Sequence, residues 1–124
     1  MIKLPKIAVL LAAYNGEYWI MDQINSILKQ NNVQVDIFVS IDLSSDGTYD
    51  LLMDLQKKHI NINVLDYGQT FGGASKNFYR LIKDVDISKY DYVSFSDQDD
   101  LWFTDKLYLG VSAIELKGFD AYSC

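Results

Sequence analysis

Short continuous apolar runs alternate along the chain with segments whose apolar residues recur at helical spacing. The runs are IAVLLA at 7–12, VDIFVSI at 35–41, INVLD at 62–66 and YDYVSF at 90–95. Each is short and nearly unbroken, as strands buried on both faces require. Between them Ile20, Ile24, Ile27 and Leu28 share one helical face, as do Leu51, Leu52 and Leu55, and then Phe78, Leu81, Ile82 and Val85. Leu107, Val111 and Ile114 repeat the pattern after the fourth run. The order is therefore βαβαβαβα, which predicts an α/β fold, a Rossmann-like and mostly parallel sheet with flanking helices. Ser45 or Asp46 is placed to cap the helix read from TYDLLMDL, and Thr104 with Asp105 to cap the last one. GFDAYSC, at the end of the sequence, reads as the start of another strand.

This organisation makes the loops informative. AAYNGE, DLSSDG, YGQTFGG and SDQDDLW all follow strands, and in an open parallel sheet such loops emerge at the carboxyl edge, where ligands bind. Right-handed crossovers bring them together on one crevice. The most charged of them carries Asp97, Asp99 and Asp100 within four positions. In an extended D-x-D the first and third side chains point to one side, and a hard cation with oxygen ligands relieves their repulsion. Mg2+ or Mn2+ suits such a pair, because these ions take one or two protein carboxylates and complete their shell on phosphate and water. Taken alone, a D-x-D is more often a set of capping and surface acids; its position behind a strand is what favours the metal reading.

The other candidates are weaker singly. Asp42, at the end of the second strand, could accept hydrogen bonds from a base or a sugar hydroxyl, or serve only as a turn residue. Tyr14, behind the first strand, offers a stacking face, or is a half-buried loop aromatic. GQTFGGASKNF at 68–78 is glycine-rich and opens a helix, so its free N–H groups and Lys76 could meet an anion. It is not a P-loop, since G-x-x-x-x-G-K-[ST] is absent, as is G-x-G-x-x-G after the first strand.

Composition narrows the choice. With 124 residues, one proline and no composition break, the chain reads as one domain, and 49% apolar residues supply a core. A formal net charge of -6, with eleven Lys and Arg scattered, argues against nucleic acid as partner. One cysteine, Cys124, cannot form an internal disulfide, and no signal peptide or membrane-spanning apolar run is read, so the expected location is cytoplasmic, with peripheral contact at the inner face of a membrane still open. The one histidine, His59, sits beside Lys57 and Lys58 at a helix end and is read as structural. No serine has a histidine partner or a G-x-S-x-G setting, so a hydrolase triad has no support.

Taken together, VLLAAYNGEYWIMDQINSILKQ, DLSSDGTYD, the KN pair of ASKNF and SDQDDLW resemble, in this order, the amino-terminal half of glycosyltransferase family 2, inverting nucleotide-sugar transferases of the GT-A fold. The resemblance covers the whole chain, and SDQDDLW resembles the form frequent in rhamnosyltransferase-like members. It implies that the Ala12 backbone and Tyr14 border the nucleobase, that Asp42 reads the base, and that Lys76 and Asn77 approach the nucleotide. It further implies that Asp97 faces the ribose or a metal-bound water, that Asp99 is the direct metal ligand, and that Asp100 and Trp102 shape the donor or acceptor side. Ile41 and Leu43 depart from the family pattern, which more often has a second acid and a glycine there, and this weakens ribose contacts at those positions.

The implied donor is a dTDP- or UDP-sugar, the acceptor a glycan or lipid-linked hydroxyl, and the setting cell-surface polysaccharide synthesis. The catalytic base is expected beyond residue 124, so the chain reads as the donor-binding part of a longer enzyme, with an exposed sheet edge that favours homo-oligomers. Other readings are a non-catalytic nucleotide-binding or assembly module, and a magnesium-dependent phosphotransfer or receiver-type domain. The phosphotransfer reading lacks an aspartate after the first strand, and the receiver reading lacks a fifth strand followed by lysine.

Overall fold

The computed structural model describes residues 3–118, apart from the side chain of Lys117. Four strands, β1 (Lys6–Ala13), β2 (Gln34–Ile41), β3 (Ile62–Val64) and β4 (Tyr92–Ser96), alternate with α1 (Ile20–Leu28), α2 (Thr48–Lys58), α3 (Ala74–Asp84) and α4 (Lys106–Lys117). The sheet order is β3-β2-β1-β4 and every pairing is parallel. The expected alternation and parallel sheet are thus observed.

β1 is central, which explains its unbroken apolar sequence: seven of its eight residues are buried. Its side chains alternate between two layers. Ile7, Val9, Leu11 and Ala13 pack with Ile20, Ile24, Ile27, Leu52, Leu55, Trp102 and Leu107 from the α1, α2 and α4 side, whereas Ala8, Leu10 and Ala12 meet Leu81 of α3. Full burial of a side chain such as Ile24 contributes about 1.5–3 kcal/mol. The chain runs outward from β1 to β2 and β3, then returns across the sheet to β4. With right-handed crossovers, that reversal puts α3 on the opposite face from α1 and α2.

Three differences from the sequence reading have packing causes. β3 stops at Val64 because, as an edge strand, it pairs with β2 alone and over three residues. β4 starts two residues later than expected; Tyr90 instead lies in the preceding turn, where its hydroxyl donates to Asp36 Oδ2 at 2.6 Å. β4 is also an edge strand, so Val93 and Phe95 are 37% and 52% exposed although their run reads as buried. Phe95 meets Phe78 edge to face, and Ile82, expected in the helical core stripe, is exposed beside this thinner layer. Gly118 ends α4 in the left-handed region (φ 69°), its N–H donating to Ile114 O, so it is a helix stop. The remainder of the strand read from GFDAYSC lies outside the described residues. Among the described residues no helix is long and apolar enough to cross a membrane.

Candidate functional site

The progression of strands across the sheet reverses between β1 and β4, which makes a topological switch point, the place where open α/β sheets hold ligands. A cavity of about 660 Å3 opens there, lined by Ala12, Ala13 and Tyr14 behind β1, Asp42 and Leu43 behind β2, Thr70, Gly72, Gly73, Ala74 and Asn77 at the start of α3, and Asp97, Gln98 and Asp99 behind β4. The structure thus brings Ala12, Tyr14, Asp42, Asn77, Asp97 and Asp99 onto one cavity. Lys76, Asp100 and Trp102 are not among its lining residues. Lys76 and Asp100 are exposed. Trp102 is buried in the main core, with the Lys106 ammonium 5.3 Å from its ring centroid.

The loops behind β1 and β2 are locked by reciprocal bonds. Asn15 N–H donates to Ser44 Oγ at 3.0 Å, Ser45 N–H to Asn15 Oδ1 at 2.8 Å, Gly16 N–H to Thr48 Oγ1 at 2.7 Å, and Gly47 N–H to Glu17 Oε2 at 2.8 Å. Asn15 takes a left-handed conformation (φ 44°) to face Ser45, a conformation asparagine tolerates. Asp46 accepts from Thr48 N–H and from Glu17 N–H. Partial burial pushes its carboxyl up, but the hydrogen bonds from Thr48 and Glu17 outweigh that and leave it below its ordinary value. Of the two expected caps for α2, Asp46 is therefore the one that reaches the helix's first N–H, and Ser45 instead serves the loop lock. This rigid pair of loops holds Tyr14, whose side chain is 54% exposed, at the cavity wall.

The glycine-rich segment behaves differently from its sequence reading. Three of its N–H groups are not free for an external anion, because Phe71 N–H donates to Asp42 Oδ1 at 2.7 Å, and Gly72 and Gly73 N–H to Oδ2 at 3.2 and 3.4 Å. With Leu43 N–H at 3.1 Å, the buried Asp42 carboxylate takes four backbone donors. Gly72 and Gly73 at φ 86° and 144° turn consecutive N–H groups toward it, conformations that a side chain would strain. Phe71 is held from below by Arg80, whose guanidinium lies 5.3 Å from the ring centroid and donates to Ser40 Oγ and Asp66 O. Asn77 is likewise committed: its Nδ2 donates to Ala13 O at 3.2 Å and Ser40 O at 3.0 Å, tying α3 to β1 and β2 beneath the cavity. Its Oδ1 is buried without a partner among the described residues.

The acidic loop is fastened at several points that leave its carboxylates free. At its start Gln23 Nε2 donates to Ser96 Oγ, which donates to Asp97 O; in the middle Trp102 N–H donates to Ser26 Oγ; at its end Gln30 bonds Phe103 O and Leu107 N–H. Gln30 thus caps α4 from across the core, in place of the side-chain caps expected from Thr104 and Asp105. Gln98 and Asp99 form a turn rather than the extended D-x-D expected, yet Asp97 and Asp99 still line one cavity, exposed, their carboxylates without hydrogen-bond partners among the described residues. Two free carboxylates over a cavity fit a hard cation. No three such ligands come together among the described residues.

Ser26, Gln30 and the DLSSDGT segment were legible as a family pattern; their task as fasteners was not. Gln98 was missed as a site residue, and its place between two acids was the available signal.

The strand order and the crevice define a GT-A type α/β fold, and solved structures of that type superpose on it. S. aureus TarS 1-349 in complex with UDP does so with a TM-score of 0.75 and 26% identity, over 90% of this chain and 32% of that one. A mannosyltransferase from Pyrobaculum calidifontis, in complex with GDP-Man and Mn2+, gives 0.73 at 20% identity over 90% and 33%, a likeness of fold. The sequence profile described as glycosyl transferase family 2 matches residues 8–124, and the chain belongs to that family. It is similar to the dTDP-rhamnosyl transferase RfbG of Shigella flexneri, 46% identical over 114 residues, which are 91% of this chain and 39% of that protein. The chain thus spans about two fifths of the length of this relative.

Proposed function

We propose that the chain is the donor-binding part of an inverting glycosyltransferase that moves a sugar, with rhamnose carried on dTDP favoured over a UDP-sugar, to a hydroxyl of a glycan or lipid-linked acceptor in cell-surface polysaccharide synthesis. The observation that carries this reading is that Asp97 and Asp99 share one switch-point cavity with Tyr14 and Asp42. The similarity to RfbG supports the dTDP-deoxysugar donor.

In this reading Tyr14 and the Ala12 backbone flank the base. A base N–H reaching Asp42 competes with its two longest bonds, those from Gly72 and Gly73 at 3.2 and 3.4 Å, while the shorter Phe71 bond keeps the carboxylate in place. Asp99, with Asp97 beside it, holds Mg2+ or Mn2+. When bound, such a cation offsets the charge that develops on the departing nucleoside diphosphate. With the cation held there by Asp97 and Asp99, the diphosphate would lie so that the anomeric carbon faces the acceptor for in-line displacement. The acceptor proton goes to a carboxylate assigned to a segment outside these 124 residues, consistent with the greater length of RfbG. Asp100, exposed on the same loop, is assigned to the donor or acceptor side, whereas Trp102 supports that loop from the core. A cytoplasmic location at the inner face of the membrane suits a lipid-linked acceptor.

Thermal unfolding with dTDP or UDP, each with and without Mn2+, tests this reading. Ligand at about 100 times its dissociation constant adds about 2.7 kcal/mol, so the midpoint should rise only when nucleotide and metal are both present, and more with dTDP. No rise with either nucleotide and metal refutes a donor site in this chain.

A further inference from the structure

Past Leu11 and Ser96, the last paired residues of β1 and β4, the two strands have no ladder bonds left to hold them together. One side chain bridges the gap. Gln98 Oε1 accepts from Tyr14 N–H at 2.7 Å, and Gln98 Nε2 donates to Tyr14 O at 2.7 Å. The amide thus reproduces, with a side chain, the donor and acceptor that a neighbouring strand would present to Tyr14. Both of its polar atoms are occupied, so although Gln98 lines the cavity it has little left to offer a ligand.

Gly16 makes room for this bridge. A Cβ built at Gly16 would lie 2.3 Å from Gln98 Oε1 and 2.8 Å from Gln98 Cδ, and its three nearest heavy atoms all belong to Gln98. The Gly16 backbone is not in the left-handed region, so a methyl group there would displace the Gln98 amide rather than strain the backbone. Gly16 itself is fixed by its bond to Thr48 in the locked pair of loops.

Resting on the function proposed above, the geometry points to Gln98, seated against Gly16, as the positioning residue that sets the separation between the base side of the site and its metal side. Tyr14 is fixed to Gln98 through its backbone and lines the cavity; Asp97 and Asp99 flank Gln98 in the turn. One amide therefore registers the aromatic that borders the base with the two carboxylates that meet the cation. A nucleoside diphosphate spans a limited range of distances between base and phosphate, so a site that grips both at once binds best with these two walls held at one spacing.

The test measures Mn2+ uptake by the wild-type chain and by Gln98→Ala, Gly16→Ala and the double variant. Free aquated Mn2+ is followed by electron paramagnetic resonance at saturating dTDP, and amide exchange at Tyr14 is read alongside. Each single variant is expected to weaken Mn2+ binding about 10- to 100-fold, the range for groups that orient metal ligands, and to speed Tyr14 exchange. In the double variant the methyl group added at position 16 has no amide to displace, so its Mn2+ affinity should equal that of Gln98→Ala. Folded Gln98→Ala that binds Mn2+ as tightly as wild type overturns the positioning role while leaving the donor site intact, and so do losses that multiply in the double variant. A wild-type chain that takes up no Mn2+ with dTDP or UDP overturns the donor-site reading, and the positioning role with it.

Discussion

Gln30 connects three elements through one side chain, and its removal has a cost that follows from the bonds it makes. The residue is 8% exposed; Nε2 donates to Ser26 O at 3.2 Å and Phe103 O at 2.6 Å, and Oε1 accepts from Leu107 N–H at 2.9 Å. Phe103 O keeps a second donor in Lys106 N–H, but Leu107 N–H, in the first turn of α4, has no other recorded acceptor. Each net hydrogen bond contributes about 1 kcal/mol, and a buried donor left unpaired costs about 1–3 kcal/mol. Gln30→Ala should therefore lose about 3 kcal/mol, a large share of the roughly 5–15 kcal/mol that holds a domain together.

Gln30→Met separates the contributions, because it keeps most of the side-chain volume and still orphans Leu107 N–H; about 2 kcal/mol is expected. Urea unfolding followed by circular dichroism gives both values, and the corresponding fall in melting temperature for Gln30→Ala is about 10 °C. If Gln30→Met unfolds within about 0.5 kcal/mol of wild type, packing rather than hydrogen bonding fixes the end of the acidic loop, and the argument for Gln30 as the cap of α4 fails.

Other expectations follow from the same contacts. Asp99 is exposed and without hydrogen-bond partners among the described residues, so Asp99→Ala should leave the ligand-free melting temperature unchanged while abolishing the Mn2+-dependent part of the rise with dTDP; a changed ligand-free value would show a structural role. Asp42→Asn keeps the shape but cannot accept four N–H bonds, so it should cost more than about 1.5 kcal/mol and speed amide exchange at Phe71, Gly72 and Gly73 in mass-spectrometric or magnetic-resonance measurements. Burial first, and then the hydrogen bond and charge of Asp36, push the Tyr90 phenol above its ordinary value of 10.0. The fold thus holds that proton more tightly than the unfolded chain, a contribution complete below about pH 10 and lost as pH rises further. Tyr90→Phe should flatten the fall in urea midpoint as pH rises above about 10.

What the sequence determined by itself is the succession of elements and the edge of the sheet where chemistry would gather. IAVLLA reads as a strand covered on both faces, because a short unbroken apolar run has no side to give to water, and β1 is indeed central. The loops behind the strands had to share an edge once the strands were parallel, which is why Tyr14, Asp42, Asp97 and Asp99, far apart in the chain, line one cavity.

What only the tertiary structure decided is where each polar group spends its hydrogen bonds. Asp42 and the glycine-rich N–H groups were each readable as ligand contacts, yet they satisfy one another, because a buried carboxylate and converging donors are costly to leave unpaired. Val93 and Phe95 read as core, but burial of an edge strand depends on what lies beyond it in space. Gln98, Gln30 and Ser26 carry no periodic signal at all; each also has a partner more than seventy residues away, and only folding sets those distances. Local pattern reports which residues need burial, whereas the pairing of donors with acceptors is a property of the assembled fold.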